Sequence, residues 1–270
     1  MLKQLLISIS LLTGAGCASA QPVDDDSFRY LLGLGINNGP EAPGAAHRSS
    51  GGGLIWAVHW GKWRLSTSGA TALMGFGNVT VGPGSGASRD LLRSENFRLG
   101  FGLRIDNGRK SEDLALTAGL PDVQRTLLGR VYASYTLSKD WQLAAAVNQD
   151  LLGKGGGLVW NADLSHQLFA SKASALSAGI GISGTDGRHM RSYFGVPVDS
   201  AAALRFGHAY LPDAGLRDTS VGVSYTRAIS PRWVGFANFS ASRLLGQAGD
   251  SPLTQHKTGV NWSLGLAYRN

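Results

Sequence analysis

Through most of this chain, apolar residues alternate one for one with small or polar residues, and Gly, Pro, Asp and Ser separate the alternating runs. The final run shows the pattern. Val260, Trp262, Leu264, Leu266 and Tyr268 fall on one face of an extended strand, with Asn261, Ser263 and Gly265 on the other. Another run sets Phe97, Leu99, Phe101, Leu103 and Ile105 against Arg98, Gly100, Gly102 and Arg104. An apolar face opposite two arginines suits a strand with lipid outside and a wet lumen inside. A soluble sandwich with its arginines in solvent would show the same pattern over a single strand.

Eleven runs predict strands, at 28–37, 53–60, 62–73, 96–105, 127–137, 141–148, 158–168, 176–183, 219–227, 233–243 and 258–269. A single-chain membrane barrel has an even number of strands and both termini on the periplasmic side. The short connections at Gly61-Lys62, 138–140, 171–173 and 229–232 belong on that side, yet with eleven strands the first two fall on opposite sides. A twelfth strand between Met74 and Arg125 restores the parity, and GFGNVTV at 75–81 is the candidate. A strand within 189–210 would mend the count but not the parity. The fold expected is therefore all-β, a transmembrane antiparallel up-and-down β-barrel of about twelve strands, with ten as the alternative. Segments 38–50, 82–94, 106–125, 184–216 and 246–257 become external or lumen-folded loops.

Composition agrees with this pattern. The chain has 38 glycines, seven tryptophans, seven tyrosines and only 16% charged residues, and its mean hydropathy is -0.03. Aromatics gather at turns (Trp60 and Trp63, Trp141, Trp233), as in the girdle of a barrel. Met1 to Ala20 reads as an export signal, with Lys3, an apolar core at 5–12 and Ala18-Ser19-Ala20 before a cut between Ala20 and Gln21. The barrel domain is then 21–270. Cys17 is the single cysteine and leaves with the signal, which excludes disulfides and thiolate chemistry from the mature chain. Lipidation at Cys17 is the lesser alternative, because Gly14 stands where a lipobox has Leu. Removing Lys3 lowers the formal charge from +7 to +6. In an exported chain that excess points to outer-membrane lipid and lipopolysaccharide rather than nucleic acid, or simply to scattered solvated arginines.

Catalytic patterns are missing. The six histidines make no HExxH motif, no i, i+4 pair and no partner for a Gly-x-Ser-x-Gly elbow, and His166 reads as a girdle residue. No glycine-rich stretch matches a phosphate loop. No enzyme, cofactor or metal is expected. Candidate lumen-facing charges are Arg98, Arg104, Arg130 and Asp163, and candidate external contacts are Arg188, Arg191 and Arg205 in the longest loop, 184–216, beside His189 and His208.

Several motifs carry a resemblance. They are YFGV at 193–196, AGLRD at 214–218, RLLG at 243–246, DSP at 250–252 and the closing GLAYR at 265–269, with PEAPG at 40–44 and GLV at 157–159. Together they resemble the MipA/OmpV family of outer-membrane proteins, densely after Tyr193 and thinly between Gly75 and Gln124. The resemblance implies an outer-membrane barrel acting as a scaffold for a lytic transglycosylase and a penicillin-binding murein synthase. It brings no catalytic residues. Family barrels usually end on an aromatic, whereas this chain ends on Asn270 with Tyr268 two positions earlier. A small-solute channel, made anion-preferring by Arg98, Arg104 and Arg130, is the alternative, and a surface adhesin ranks behind it.

Overall fold

The computed structural model of the chain describes residues 28–67, 73 and 85–270. Among the described residues, twelve antiparallel strands close into one barrel. They are β1 (Arg29–Pro40), β2 (Arg48–Trp60), β3 (Trp63–Ser66), β4 (Gly86–Arg93), β5 (Phe97–Asp106) and β6 (Thr126–Thr136). β7 (Trp141–Asp150), β8 (Leu158–Ala170), β9 (Ser174–Thr185), β10 (Gly215–Ala228), β11 (Trp233–Leu244) and β12 (Thr258–Arg269) complete the wall. Each strand pairs with its chain neighbours, and β1 closes on β12 from Leu31↔Arg269 to Asn38↔Trp262. Pairing the last strand with the first removes the terminal edges of the sheet, which suits a spanning sheet where no water can satisfy backbone groups.

Period-two alternation sorts the side chains. Leu34 is 67% exposed, Ile36 54% and Leu264 45%, all on the outer face, and an apolar belt of that extent is suited to lipid. The inner face holds glycines and short polar residues, such as Gly35, Asn37, Asn261 and Ser263 from β1 and β12.

The expected count of twelve is met, but the twelfth strand is β4 at Gly86–Arg93, inside a segment expected to be a loop. The proposed strand at 75–81 lies outside the described residues. Two features hide β4 from a pattern reading. Arg89 sits on the outer face, in register with Trp63 and Phe101, its guanidinium 5.7 Å from the Trp63 ring. A bulge between Asp90 and Leu92 then leaves both Leu91 and Leu92 exposed and breaks the period. The strand expected at 62–73 is also shorter, ending at Ser66. Leu73 instead lies inside the barrel, buried with Leu31, Ala57, Val234 and Ala267.

All five short turns and both ends of the barrel sequence lie at one end, which is the periplasmic end of such barrels. The connections that follow β1, β5, β7, β9 and β11 lie at the other. There helix α1 (Gly187–Phe194) and helix α2 (Ala201–Phe206) follow β9, and a short helix α3 (Gly246–Gly249) follows β11. Asp186 and Ser200 cap the first two, each accepting a hydrogen bond from the backbone N–H three residues on.

The sorting of faces predicts an asymmetric response to charge. Leu264→Arg, in mid-belt, should cost about 2–4 kcal/mol, whereas Ser242→Arg on the inner face should cost under about 1 kcal/mol. Urea unfolding in vesicles, followed by heat-dependent gel mobility, measures both, and equal costs would refute the assignment of faces.

Candidate functional site

Chemistry collects in three places: the inner wall, the external cap and the periplasmic rim. On the wall, β3 to β6 bring Arg64, Asp90, Arg98 and Tyr132 together. The Asp90 carboxylate pairs with Arg64, lies 3.5 Å from Arg98 Nε and accepts a 2.7 Å hydrogen bond from the Tyr132 hydroxyl. Gly100, opposite Tyr132, makes this possible, since a Cβ there would run into the phenol ring. Higher on the same wall, Arg104 lies 3.8 Å from Asp106. Arg130 differs in having no carboxylate partner, while its Nε, like Arg64 Nε and Arg98 Nη1, is shielded from solvent without an acceptor. Asp163 accepts from Asn161 Nδ2 at 2.7 Å. The facing wall, from β9 to β12, is uncharged over much of its inner face, with Ser177, Gly179, Ser220, Ser224, Asn238 and Ser240.

All four charges expected inside the barrel thus lie on strands β5, β6 and β8, and two of the three arginines are matched by aspartates. Asp90, Arg64 and Tyr132 were not picked out in advance. Arg64 and Tyr132 sit at inward phases of readable strands, but Asp90 is on the hidden β4.

The cap joins segments distant in sequence. Ser251 of the DSP motif donates a 2.6 Å hydrogen bond to the carbonyl of Phe194 in YFGV. Leu245 N–H of RLLG donates to the carbonyl of Arg217 in AGLRD at 2.9 Å. Gly44 of PEAPG accepts from the amides of Gln255 and His256. Gly157 of GLV takes a left-handed φ of 59°, and a Cβ there would lie 2.5 Å from the His189 nitrogen. Two small apolar cores fill the assembly: Leu120, Val196, Ala202, Ala203 and Leu253 in one, and Met190, Phe194, Leu244 and Ala248 in the other.

Of the external arginines, Arg188 is exposed, and Arg191 lies 3.5 Å from Asp213. Arg205 is spent within the cap, its guanidinium donating to the carbonyls of Ala115 and Leu116 at 2.7 and 2.6 Å. His189, on α1, donates from Nδ1 to the Gly156 carbonyl at 2.7 Å and stacks on Tyr193 with ring centres 4.5 Å apart. Burial, and then the nearby Arg217, push its pKa down to about 4. Burial also raises the Tyr193 phenol and lowers Arg109. Among the described residues no three His, Cys, Asp or Glu side chains gather as a metal site would need.

At the rim, four of the five short turns carry an exposed cation, Lys62, Lys139, Lys172 and Arg232, and exposed Arg93 ends β4 beside the fifth. Only Glu95 and Asp140 oppose them on these turns. Aromatics stand just above, with Trp141 stacked on His166 at 4.4 Å and Trp233 edge-on to Tyr268 at 5.5 Å.

A closed antiparallel barrel with an apolar belt, aromatic girdle and polar lumen is an outer-membrane β-barrel. The family model for "MltA-interacting protein MipA" matches residues 32–270, and the chain belongs to that family. No curated protein matches the chain. Among solved structures, the NanC porin matches at TM-score 0.41 and 9% identity, over 87% of this chain and 98% of that one. OmpT of Vibrio cholerae gives 0.38 and 9%, over 90% and 97%. An anion-selective porin from Comamonas acidovorans gives 0.38 and 10%, over 90% and 99%. Values this low say nothing about function.

Two measurements follow. Asp90→Ala strands two largely buried guanidinium groups and should cost about 3–5 kcal/mol in urea unfolding, against about 1 kcal/mol for Tyr132→Phe, which removes one hydrogen bond. If Asp90→Ala matches Tyr132→Phe, the cluster does not bear on stability. For His189, the folded pKa is depressed, so the unfolded state binds more protons between about 4 and 6.5 and stability falls as pH drops through that window. Amide exchange in α1 should accelerate from pH 7 to pH 4.5 beyond the intrinsic rate, and His189→Gln should flatten that dependence.

Proposed function

We propose that this barrel is a membrane-embedded docking post for a murein-cleaving lytic transglycosylase, the kind of partner its family name records, with a penicillin-binding murein synthase in the same assembly. The family match across 32–270 carries this reading. The rim says what form docking would take. Its turns are only a few residues long and each offers little area against the roughly 800 Å² per partner of a standard interface. A partner must therefore sit across several turns at once. Exposed Lys62, Arg93, Lys139, Lys172 and Arg232 favour one with an acidic face. In the same reading, Met1 to Ala20 is an export signal cut after Ala20, residues 21–270 form the barrel, and the chain performs no chemistry of its own.

The channel reading has one observation behind it, the arginine-bearing inner wall. Against it stand the aspartate partners of Arg98 and Arg104, and the apolar cluster around Leu73 within the lumen.

The docking reading is tested by binding a purified lytic transglycosylase to the barrel in nanodiscs. Replacing Lys62, Lys139, Lys172 and Arg232 together by Glu should weaken binding about tenfold or more, and added salt should weaken the wild type alike. Unchanged affinity in a barrel that keeps its folded gel mobility would refute rim docking.

A further inference from the structure

We propose that the outer wall carries a lipid A site at its external end, where Arg48 and Arg243 receive the two phosphates and the acyl chains lie on β1 and β12 below them. This does not depend on the docking reading. The starting observation is how charge is sorted between the two faces of the wall. The five carboxylates on the strands, Asp90, Asp106, Asp150, Asp163 and Asp218, all face inward. The charged residues at outward positions are Arg48, Arg89, Arg227 and Arg243. Arg48 shares its phase with exposed Leu54 and Trp56, and Arg243 shares its own with exposed Trp233 and Phe239. An outer face with arginines and no carboxylate is suited to anions, and the anions at a bilayer surface are lipid phosphates.

Arg48 and Arg243 stand at the external end of the apolar belt. Trp262 marks that boundary on β12, in register with Asn38 on β1 and Phe239 on β11, and Asn38 in turn pairs with Ser50 on β2. Arg48 is the next outward residue beyond Ser50, and Arg243 the second beyond Phe239. Arg48 is held in place by its neighbours. Asn38 Oδ1 accepts from its Nε at 2.9 Å and also from its Nη2, while Asn38 Nδ2 donates to Ser50 Oγ at 2.8 Å. That neutral network fixes the guanidinium without cancelling its charge. Among the described residues neither arginine lies within ion-pair distance of a carboxylate. Asp250, in the connection between β11 and β12, is taken by Lys257 at 2.8 Å.

Spacing and surface select the ligand. β1 and β12 lie between β2 and β11, so the strands bearing the two arginines stand about 14 Å apart. A single small phosphate reaches only one of them. Lipid A carries a phosphate at each end of a disaccharide and several acyl chains beneath it, so one molecule can span the pair. Its chains would then lie on Leu34, Ile36 and Leu264, which are exposed on the two strands between. Arginine–phosphate hydrogen bonds, charge-assisted and often bidentate, would hold the head group.

The test is native mass spectrometry of the full barrel released from detergent, titrated with lipid A bearing both phosphates. The same lipid dephosphorylated and phosphatidylglycerol are titrated alongside, and inorganic phosphate is added as a competitor. Lipid A is expected to bind at least about tenfold more tightly than either comparison lipid, and phosphate is expected not to displace it. Arg48→Gln together with Arg243→Gln should weaken lipid A binding about tenfold, while Arg227→Gln, outward at the periplasmic end, leaves it unchanged. Folded gel mobility shows that each variant has kept its barrel. Equal affinity for dephosphorylated lipid A, or no loss in the double variant, would overturn the proposal. Phosphatidylglycerol binding as tightly as lipid A would replace it with a general anionic-lipid surface, and displacement by phosphate would replace it with a plain anion site.

Discussion

The structure depends on one constraint: within a bilayer, every backbone N–H and C=O must find a partner in the protein itself. Pairing β1 with β12 serves it by giving the first and last strands partners in each other. Once the sheet is closed, each strand has one face toward lipid and one toward the lumen, and the composition of each face follows. Hence Leu34, Ile36 and Leu264 can be exposed without making the protein insoluble in its own setting. The arginines of β5 and β6, in turn, have only the interior to occupy, where they need counter-charges.

That need explains the inner wall. Asp90 is close to two guanidinium groups and a phenol at once, and it lies on the strand with the weakest apolar pattern. β4 is positioned by partners on both sides and by the carboxylate it contributes, so its own hydrophobicity matters less. Its bulge and outward Arg89 are tolerable because Trp63 and Phe101 supply the interfacial apolar contact there.

The same physics sets how much could be read from sequence. Period two is a local property, so strands such as β5 and β12, with five apolar residues in phase, were legible. Parity of short turns required a twelfth strand without locating it, because a parity argument counts crossings and does not see pairing. What escaped was contact between distant segments: the Asp90 cluster drawn from four strands, the role of Arg205 as a staple for Ala115 and Leu116, and Leu73 leaving the wall for the lumen. Individual strands carry no mark of those meetings. The motifs shared with the family did carry one, since YFGV and DSP meet through Ser251 and Phe194, and RLLG and AGLRD meet through Leu245 and Arg217.

The two ends of the barrel therefore differ in kind. Outside, family motifs, apolar cores and internal hydrogen bonds hold the loops to one another, while Lys110, Arg125, Lys154 and Arg188 and the apolar Val198, Leu204 and Leu211 stay exposed. At the rim, the turns are too short to pack on anything, and their lysines and arginines remain free for an outside surface. The contrast is therefore one of length: the long connections can build apolar cores of their own, whereas the short turns can only present the side chains they carry.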